Sequence, residues 1–534
     1  MNTVARPGKQ WVTLAALVVA ALALALLLHL PKRSPGYMDA YYHLTMAERI
    51  AGGQGFTEPF VWNYLDAPED IPHPSHLYWA PLPSILAAGA IRLFGDSYAA
   101  ASLPFILCAA ALPLLTFGLA RQMGADTREA AVSALLTLLA GFYAAYWTSP
   151  DSFAPFAVAG CGALWLMSRA HERRWRALGA GLCAGLGHLA RPDGVLLILV
   201  GMLGLLWAGA RGVMGRRAAS RAALWMLVGY AAVMGPWFAR NWAVAGSPLA
   251  GGGLSALFLR DYDELYAARH IPTLADYLSW GFASIVASKA SALVSNLITL
   301  VGALLVVLVG PSAWGLWAAR RRICLWPAMA FGTLLLLAMS FAFTFPGMRG
   351  SFFHSAGALV PFLFAAVFPG LRAGVAWAGA RRPSWNAAQA YRVFAVALVA
   401  MAVAVSGVLY ARAIGGRPPA VAPWNLRDDV YPVVARWLDE HAEAADRVMV
   451  GDPPAFYYYA RRECVAIPSD GMEALRFAQA KYGVRWLVLE YNHPRFLNAI
   501  YDKSETPPGW VLRQVFYDAL GEKVVLYEMA EGER

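Results

Sequence analysis

The chain has 534 residues, 59% of them hydrophobic and only 15% charged, with a mean hydropathy of +0.46; that composition excludes a soluble globular protein. The net charge of +10 does not point to nucleic acid, because the basic residues gather in short runs between apolar segments, where the positive-inside rule puts them. Cys108, Cys161, Cys183 and Cys324 lie in or beside apolar segments and Cys464 stands alone in the polar tail, so neither a disulfide framework nor a cysteine metal site is suggested.

Residues 11–30 form the first stretch long enough to cross a bilayer, and with no Ala-x-Ala site between the end of that stretch and Asp39 they read as an uncleaved signal anchor. Arg6 and Lys9 precede it and put the N-terminus in the cytoplasm. Later basic connections fall at 121–128, 169–176, 211–221, 320–322 and 372–392. Placing spans between them predicts a mostly α, polytopic bundle of about 11 crossings. They fall at 11–31, 98–120, 130–148, 153–168, 177–190, 194–210, 222–238, 291–317, 324–345, 355–371 and 393–412. The odd count sends everything after Arg412 outside, in a multi-pass protein of the cell membrane. Residues 77–94 are apolar enough to be mistaken for a crossing, but counting them would put every arginine run outside. They are assigned to the interface, as is an amphipathic helix at 40–50. The membrane part thus covers 1–412, with outer loops at 32–97 and 239–290, followed by a linker at 413–422. In the tail, 423–534, short β-rich runs at 448–451, 464–467, 486–490, 511–517 and 523–527 alternate with helical periodicity at 430–441 and 473–482, which predicts a small extracytoplasmic α/β domain.

With this topology the outer loops hold few polar groups that hydrophobicity does not explain. The first carries Asp39-Ala40-Tyr41-Tyr42-His43, then His73-Pro74-Ser75-His76 and Tyr78-Trp79. Tyr41, Tyr42, Tyr78 and Trp79 read as an aromatic belt at the headgroups. Asp39 among those rings reads as a partly dehydrated, functional carboxylate. Tyr42, His43, His73 and His76 are assigned to a substrate loop, since two histidines three apart in a Pro-rich loop are a weak metal signal. Asp151, in the second outer loop, begins a membrane helix, where a carboxylate is stabilised and can still face a pocket. Asp39 and Asp151 could share a divalent cation, Mg or Mn, or divide the roles of base and orienter; no other cofactor is indicated. Arg191, in Arg191-Pro192-Asp193-Gly194, reads equally as half of an internal ion pair or as an anion ligand. Arg240 reads as an interface anchor. Arg349, between two glycines, and His354 complete a phosphate-binding set with Arg191.

Membrane spans with outward carboxylates, arginines and histidine suit a substrate with an apolar tail and an anionic head, which a polyprenyl-phosphate sugar supplies. The phosphate is a leaving group that needs charge stabilisation, and Asp39 is the candidate base toward the acceptor.

The Asp39 loop, Trp79-Ala80-Pro81-Leu82-Pro83, the acidic loop at Asp151, Arg191-Pro192-Asp193-Gly194 and Pro236-Trp237 with Arg240-Asn241 together resemble the GT-C class of integral-membrane glycosyltransferases. The likeness is to the protein O-mannosyltransferase-like and aminoarabinose-transferase-like group, and the first loop is also similar to oligosaccharyltransferase catalytic subunits. The resemblance implies inverting transfer from a lipid-phosphate donor, with Asp39 as base or acceptor-orienting acid and Asp151 as the second acid. It implies membrane lipids and an extracytoplasmic lipid, glycan or protein acceptor as partners. Ala40 follows Asp39 where the mannosyltransferase-like members usually carry Asp-Glu, and the tail lacks Trp-Trp-Asp, which favours single-sugar transfer over en bloc transfer to Asn. The alternatives are a transporter or flippase of lipid-linked sugars and a non-catalytic subunit. A transporter would show inverted repeats or ionisable residues at span centres.

Overall fold

A computed structural model describes residues 7–249, 255–343, 351–382, 384–415, 423–426, 428–503 and 506–529. Among them, seven helices are long and apolar enough to cross a membrane: Trp11–His29, Tyr98–Met123, Pro192–Ala210, Arg216–Ala245, Phe282–Ala303, Ile323–Ala342 and Ala387–Ile414. A bent pair, Phe352–Ala365 and Val367–Gly379, passes the same test together. The remaining expected spans are shorter helices, α5 (Thr127–Leu138), α7 (Phe153–Met167) and α8 (Arg174–Ala190), packed among the long ones. The eighth expected span, 291–317, is broken: helix stops at Ala303, Leu305 and Val306 adopt left-handed backbone, and helix resumes at Val309–Ala319. A local period search finds apolarity on both sides of such a break and cannot see it.

Two sequence features build the bundle. In α8, Gly181 and Gly185 stand four apart, and small residues at that spacing let membrane helices approach closely. Here α8 lies against α10 (Arg216–Ala245), so near that a Cβ on Gly181 would fall 1.9 Å from the carbonyl oxygen of Met226. The arginine turns meet at one end: Arg372 pairs with Glu129 and donates to the Gly124 carbonyl, and Arg322 donates to the Gln122 carbonyl. Those contacts sit at the far end of α4 (Tyr98–Met123), about 39 Å along its axis from Tyr98, whose ring meets His29 at the other end of the bundle.

The first loop and the tail form one body. Helix α2 (Met38–Ala51) lies against α3 (Leu82–Phe94). Strand β1 (Thr57–Glu58) pairs with β3 (His73–Pro74), while β2 (Phe60–Val61) joins the tail. The tail strands are β4 (Arg447–Val450), β5 (Cys464–Ala466), β6 (Val484–Leu489), β7 (Trp510–Tyr517) and β8 (Lys523–Met529), and the sheet order is β2-β5-β4-β6-β8-β7. The first four are parallel; β8 and β7 complete it antiparallel. Arg447 reaches Asp70 at 3.0 Å and the Ile71 carbonyl at 3.2 Å, and the Tyr482 hydroxyl donates to the Pro68 carbonyl.

This docking corrects the aromatic-belt expectation. Tyr41 and Tyr42 are buried in protein with Tyr431, Val450 and Phe456 of the tail. The Tyr41 hydroxyl meets that of Tyr459, and Tyr42 donates to Glu58. Trp79 stacks on Trp62 with centroids 3.7 Å apart. Arg240 is likewise more than an anchor. It donates to the carbonyls of Phe56 and Ser75, tying α10 to the first loop.

Candidate active site

Between the bundle and the tail lies a cavity of about 730 Å³, and Asp39, His43, Arg191 and His354 line it. Its membrane side is apolar, with Leu196, Met234, Phe238 and Met339; its roof is the tail, with Asp452, Glu490 and Asn492. Met339 sits in a π-helical turn, Ala338–Ala342, a local widening common beside functional sites.

Each polar group is placed by local structure. Asp39 stands in the first turn of α2, where the helix dipole favours a carboxylate. Asp151 lies in the loop between α6 (Tyr143–Tyr146) and α7. That loop is anchored by buried Trp147, stacked on Tyr143. Lys32 pins it from the other side, donating to Thr148 Oγ1 at 2.9 Å and to the Ala145 carbonyl, with its ammonium over Trp424. Burial pushes the Lys32 ammonium down to about 7. Pro192 disfavours helix at the residue before it, so α8 ends and Arg191 turns extended. Gly194 then packs so close that a Cβ would fall 2.4 Å from the Gly187 carbonyl.

The structure brings Asp39, Asp151 and His354 together: one ligand atom from each lies within 4.8 Å of the others. Asp151 is fully enclosed. Its Oδ2 accepts from the Tyr37 hydroxyl at 2.8 Å and its Oδ1 from the Ser152 N–H. His43 Nε2 stands 3.8 Å from Oδ1 and His354 Nδ1 3.9 Å from Oδ2. Arg191 donates to Ser152 Oγ and to Asp193, both at 3.2 Å, and Ser355 donates to the other Asp193 oxygen. Arg191 is therefore ion-paired with Asp193, and it also lines the cavity.

The two carboxylates are driven apart. Burial and then the nearby Asp151 charge push the Asp39 carboxyl up to about 8, against the opposing pull of Arg191. Burial also opposes ionisation of Asp151, but His354 and His43 beside it, the Ser152 N–H and the Tyr37 hydroxyl outweigh that and hold its carboxyl below the usual range. The Tyr37 hydroxyl stays protonated, since burial and Asp151 raise it. Asp39 is thus the group that holds a proton near neutrality, and Asp151 the one that keeps its charge.

Among the substrate-loop residues, His43 and His76 line the cavity, whereas Tyr42 and His73 stand behind its wall, hydrogen-bonded to Glu58 and to the Phe60 carbonyl. Arg349 lies outside the described residues. Lys32, Asp452 and Glu490 were missed by sequence reasoning. Lys32 had a signal, because a lysine at the outer end of the first span runs against the positive-inside rule. Asp452 and Glu490 had none, since only the sheet brings them to the cavity.

The family model for dolichyl-phosphate-mannose-protein mannosyltransferase matches residues 73–237. No curated protein matches the chain in sequence. In structure the chain is similar to the oligosaccharyltransferase AglB from Archaeoglobus fulgidus, with a TM-score of 0.60, 14% identity, and 99% of this chain and 75% of that one covered. It is similar to ArnT from Cupriavidus metallidurans in the apo state, with a TM-score of 0.61, 15% identity and 99% and 100% covered. The ArnT structure bound to undecaprenyl phosphate gives 0.59 and 14%, with 98% and 100% covered. The chain is therefore a polytopic membrane protein with the GT-C glycosyltransferase fold, and its residues 73–237 match the dolichyl-phosphate-mannose-protein mannosyltransferase family.

Proposed function

We propose that the protein is an inverting glycosyltransferase that moves a single sugar from a polyprenyl-phosphate donor to an extracytoplasmic acceptor. The observation that carries this is the convergence of Asp39, His354 and Arg191 on one cavity with an apolar membrane side and a polar roof, with Asp151 buried beside Asp39 and His354. The similar AglB and ArnT structures hold a dolichol-phosphate and undecaprenyl phosphate, and by likeness the donor here is of that kind. Its chain lies along the membrane side and its phosphate meets Arg191 and His354, with Arg349 a further candidate. The acceptor hydroxyl attacks the anomeric carbon from the face opposite the phosphate. The new C–O bond forms, the bond to the phosphate oxygen breaks, and polyprenyl phosphate departs with the electron pair. The acceptor proton passes to the ionised form of Asp39, a form of base catalysis worth about 10²–10⁴-fold. Arg191 stabilises the departing phosphate.

The carboxylates of Asp39 and Asp151, with the His354 imidazole beside them, would hold a divalent cation such as Mg or Mn, which takes oxygen ligands by preference and keeps several waters. Such an ion would supply charge to the donor phosphate and let both carboxylates ionise. The carboxylate cluster and tail face outward and the arginine turns and N-terminus face the cytoplasm, as the positive-inside rule requires.

Mass spectrometry of envelope glycans tests the assignment in cells carrying the protein, Asp39→Asn, or neither. The account expects one sugar to be missing from the same acceptor in the latter two. Wild-type glycans in Asp39→Asn cells with normal protein abundance would overturn it.

A further inference from the structure

A chain of hydrogen bonds leads away from Asp151 into the first loop. His43 Nδ1 meets Ser84 Oγ at 3.0 Å, the same hydroxyl meets His76 Nε2 at 3.0 Å, and His76 Nδ1 meets Ser75 Oγ at 2.8 Å. All four side chains are buried, at most 2% exposed, so water does not compete for these bonds. We propose that His43 is a positioning residue whose Nε2–H is held toward Asp151 by the hydroxyl–imidazole chain through Ser84, His76 and Ser75.

The direction of the chain follows from its end. Both Asp151 oxygens already accept hydrogen bonds, from Tyr37 and Ser152, so Asp151 presents negative charge to His43 Nε2 at 3.8 Å. That distance exceeds a hydrogen bond, yet the charge favours N–H over a lone pair at Nε2. A neutral imidazole with its proton on Nε2 accepts at Nδ1. Ser84 has one hydroxyl proton, which it must then donate to His43, leaving its oxygen to accept from His76 Nε2–H. His76 Nδ1 accepts in turn, and Ser75 donates. The mirror arrangement would turn the His43 lone pair on the carboxylate. Burial keeps both rings neutral. The other groups facing them include the rings of Tyr42, Trp79, Phe56 and Trp237, the His354 imidazole and the charges of Arg191 and Arg240.

In the reaction the fixed tautomer keeps Asp151 anionic while Asp39 takes the acceptor proton; this role rests on the proposed transfer, whereas the tautomer does not. The test is ¹⁵N NMR of the full-length, histidine-labelled protein in lipid nanodiscs, with His43→Gln assigning the His43 signals. Expected are Nε2–H tautomers at His43 and His76, a mixed tautomer at His43 in Ser84→Ala, and recovery in Ser84→Thr. In cells, Ser84→Ala should lower the transferred sugar about 10-fold, in the range of lost supporting hydrogen bonds around reactive sites, and Ser84→Thr should restore it. An Nδ1–H tautomer at His43 in the wild type overturns the proposal whatever the glycans show. The Nε2–H tautomer together with unchanged glycans in Asp39→Asn cells overturns the transfer and leaves the tautomer assignment supported.

Discussion

Replacing Asp39 with Asn should abolish transfer and yet make the protein more stable in alkaline solution. The Asp39 carboxyl is pushed from 3.8 up to about 8, chiefly by burial and then by Asp151. At about 1.36 kcal/mol per pH unit, ionising a fully dehydrated group at pH 9 would cost roughly 6 kcal/mol. Asp39 is only partly buried, at the wall of a roomy cavity, and screening by water reduces this to about 2–3 kcal/mol. The folded-state value lies above the unfolded one, so the folded state binds the proton more tightly. Stability is then fully present below about pH 4 and lost as pH rises through about 8. Asn carries no such dependence. Thermal unfolding in nanodiscs with chelator present, from pH 5 to pH 9, should show wild type and Asp39→Asn nearly level at pH 5 and the variant ahead by that amount at pH 9. A pH-independent difference, or a variant less stable at pH 9, would refute the picture of a carboxylate held against its preference for charge. Groups set against stability in this way cluster at active sites.

Transfer in chelator-treated enzyme should rise with pH up to about 8, following ionisation of Asp39; a flat profile from pH 6 to 9 would remove Asp39 as the base. Lys32→Met leaves the Ala145 carbonyl and Thr148 without their donor, at a cost of about 1–3 kcal/mol. Thermal unfolding should register that loss and transfer should fall with it, since the loop that holds Asp151 is loosened; unchanged stability and activity would show that the loop stands alone. Gly181→Leu places a side chain where the Met226 carbonyl lies. It should destabilise the α8–α10 pair by at least the 1–3 kcal/mol of ordinary overpacking, read as a lower yield of folded protein in detergent.

Much of this architecture is legible in the sequence because a bilayer constrains it locally. Twenty apolar residues and a basic turn are both visible in a short window, and the common sidedness of Asp39, Asp151, Arg191 and His354 followed from counting them. The tail strands were readable for the same reason, being short runs of apolar β-branched residues between turn residues. What escaped depends on distant partners. Phe60 and Val61 are two residues with no strand signal of their own, and they pair with Cys464 and Val465 some 400 positions later. That pairing buries Tyr41 and Tyr42, so an aromatic pair next to a span reads as a headgroup belt until its covering domain is known. The break at Leu305 and Val306 is equally silent, because apolar residues occupy both sides. Lys32 alone among the missed groups violated a rule that was being applied.

Release of polyprenyl phosphate is the most direct measure of the central claim. The purified protein in nanodiscs is given polyprenyl phosphates charged with mannose, glucose, or a pentose, together with an envelope extract as acceptor, and the freed lipid phosphate is followed by mass spectrometry. The account predicts that at least one donor releases polyprenyl phosphate and leaves its sugar on an acceptor with inverted configuration, and that Asp39→Asn releases none. Release at the wild-type rate by Asp39→Asn, or transfer with retained configuration, would contradict it.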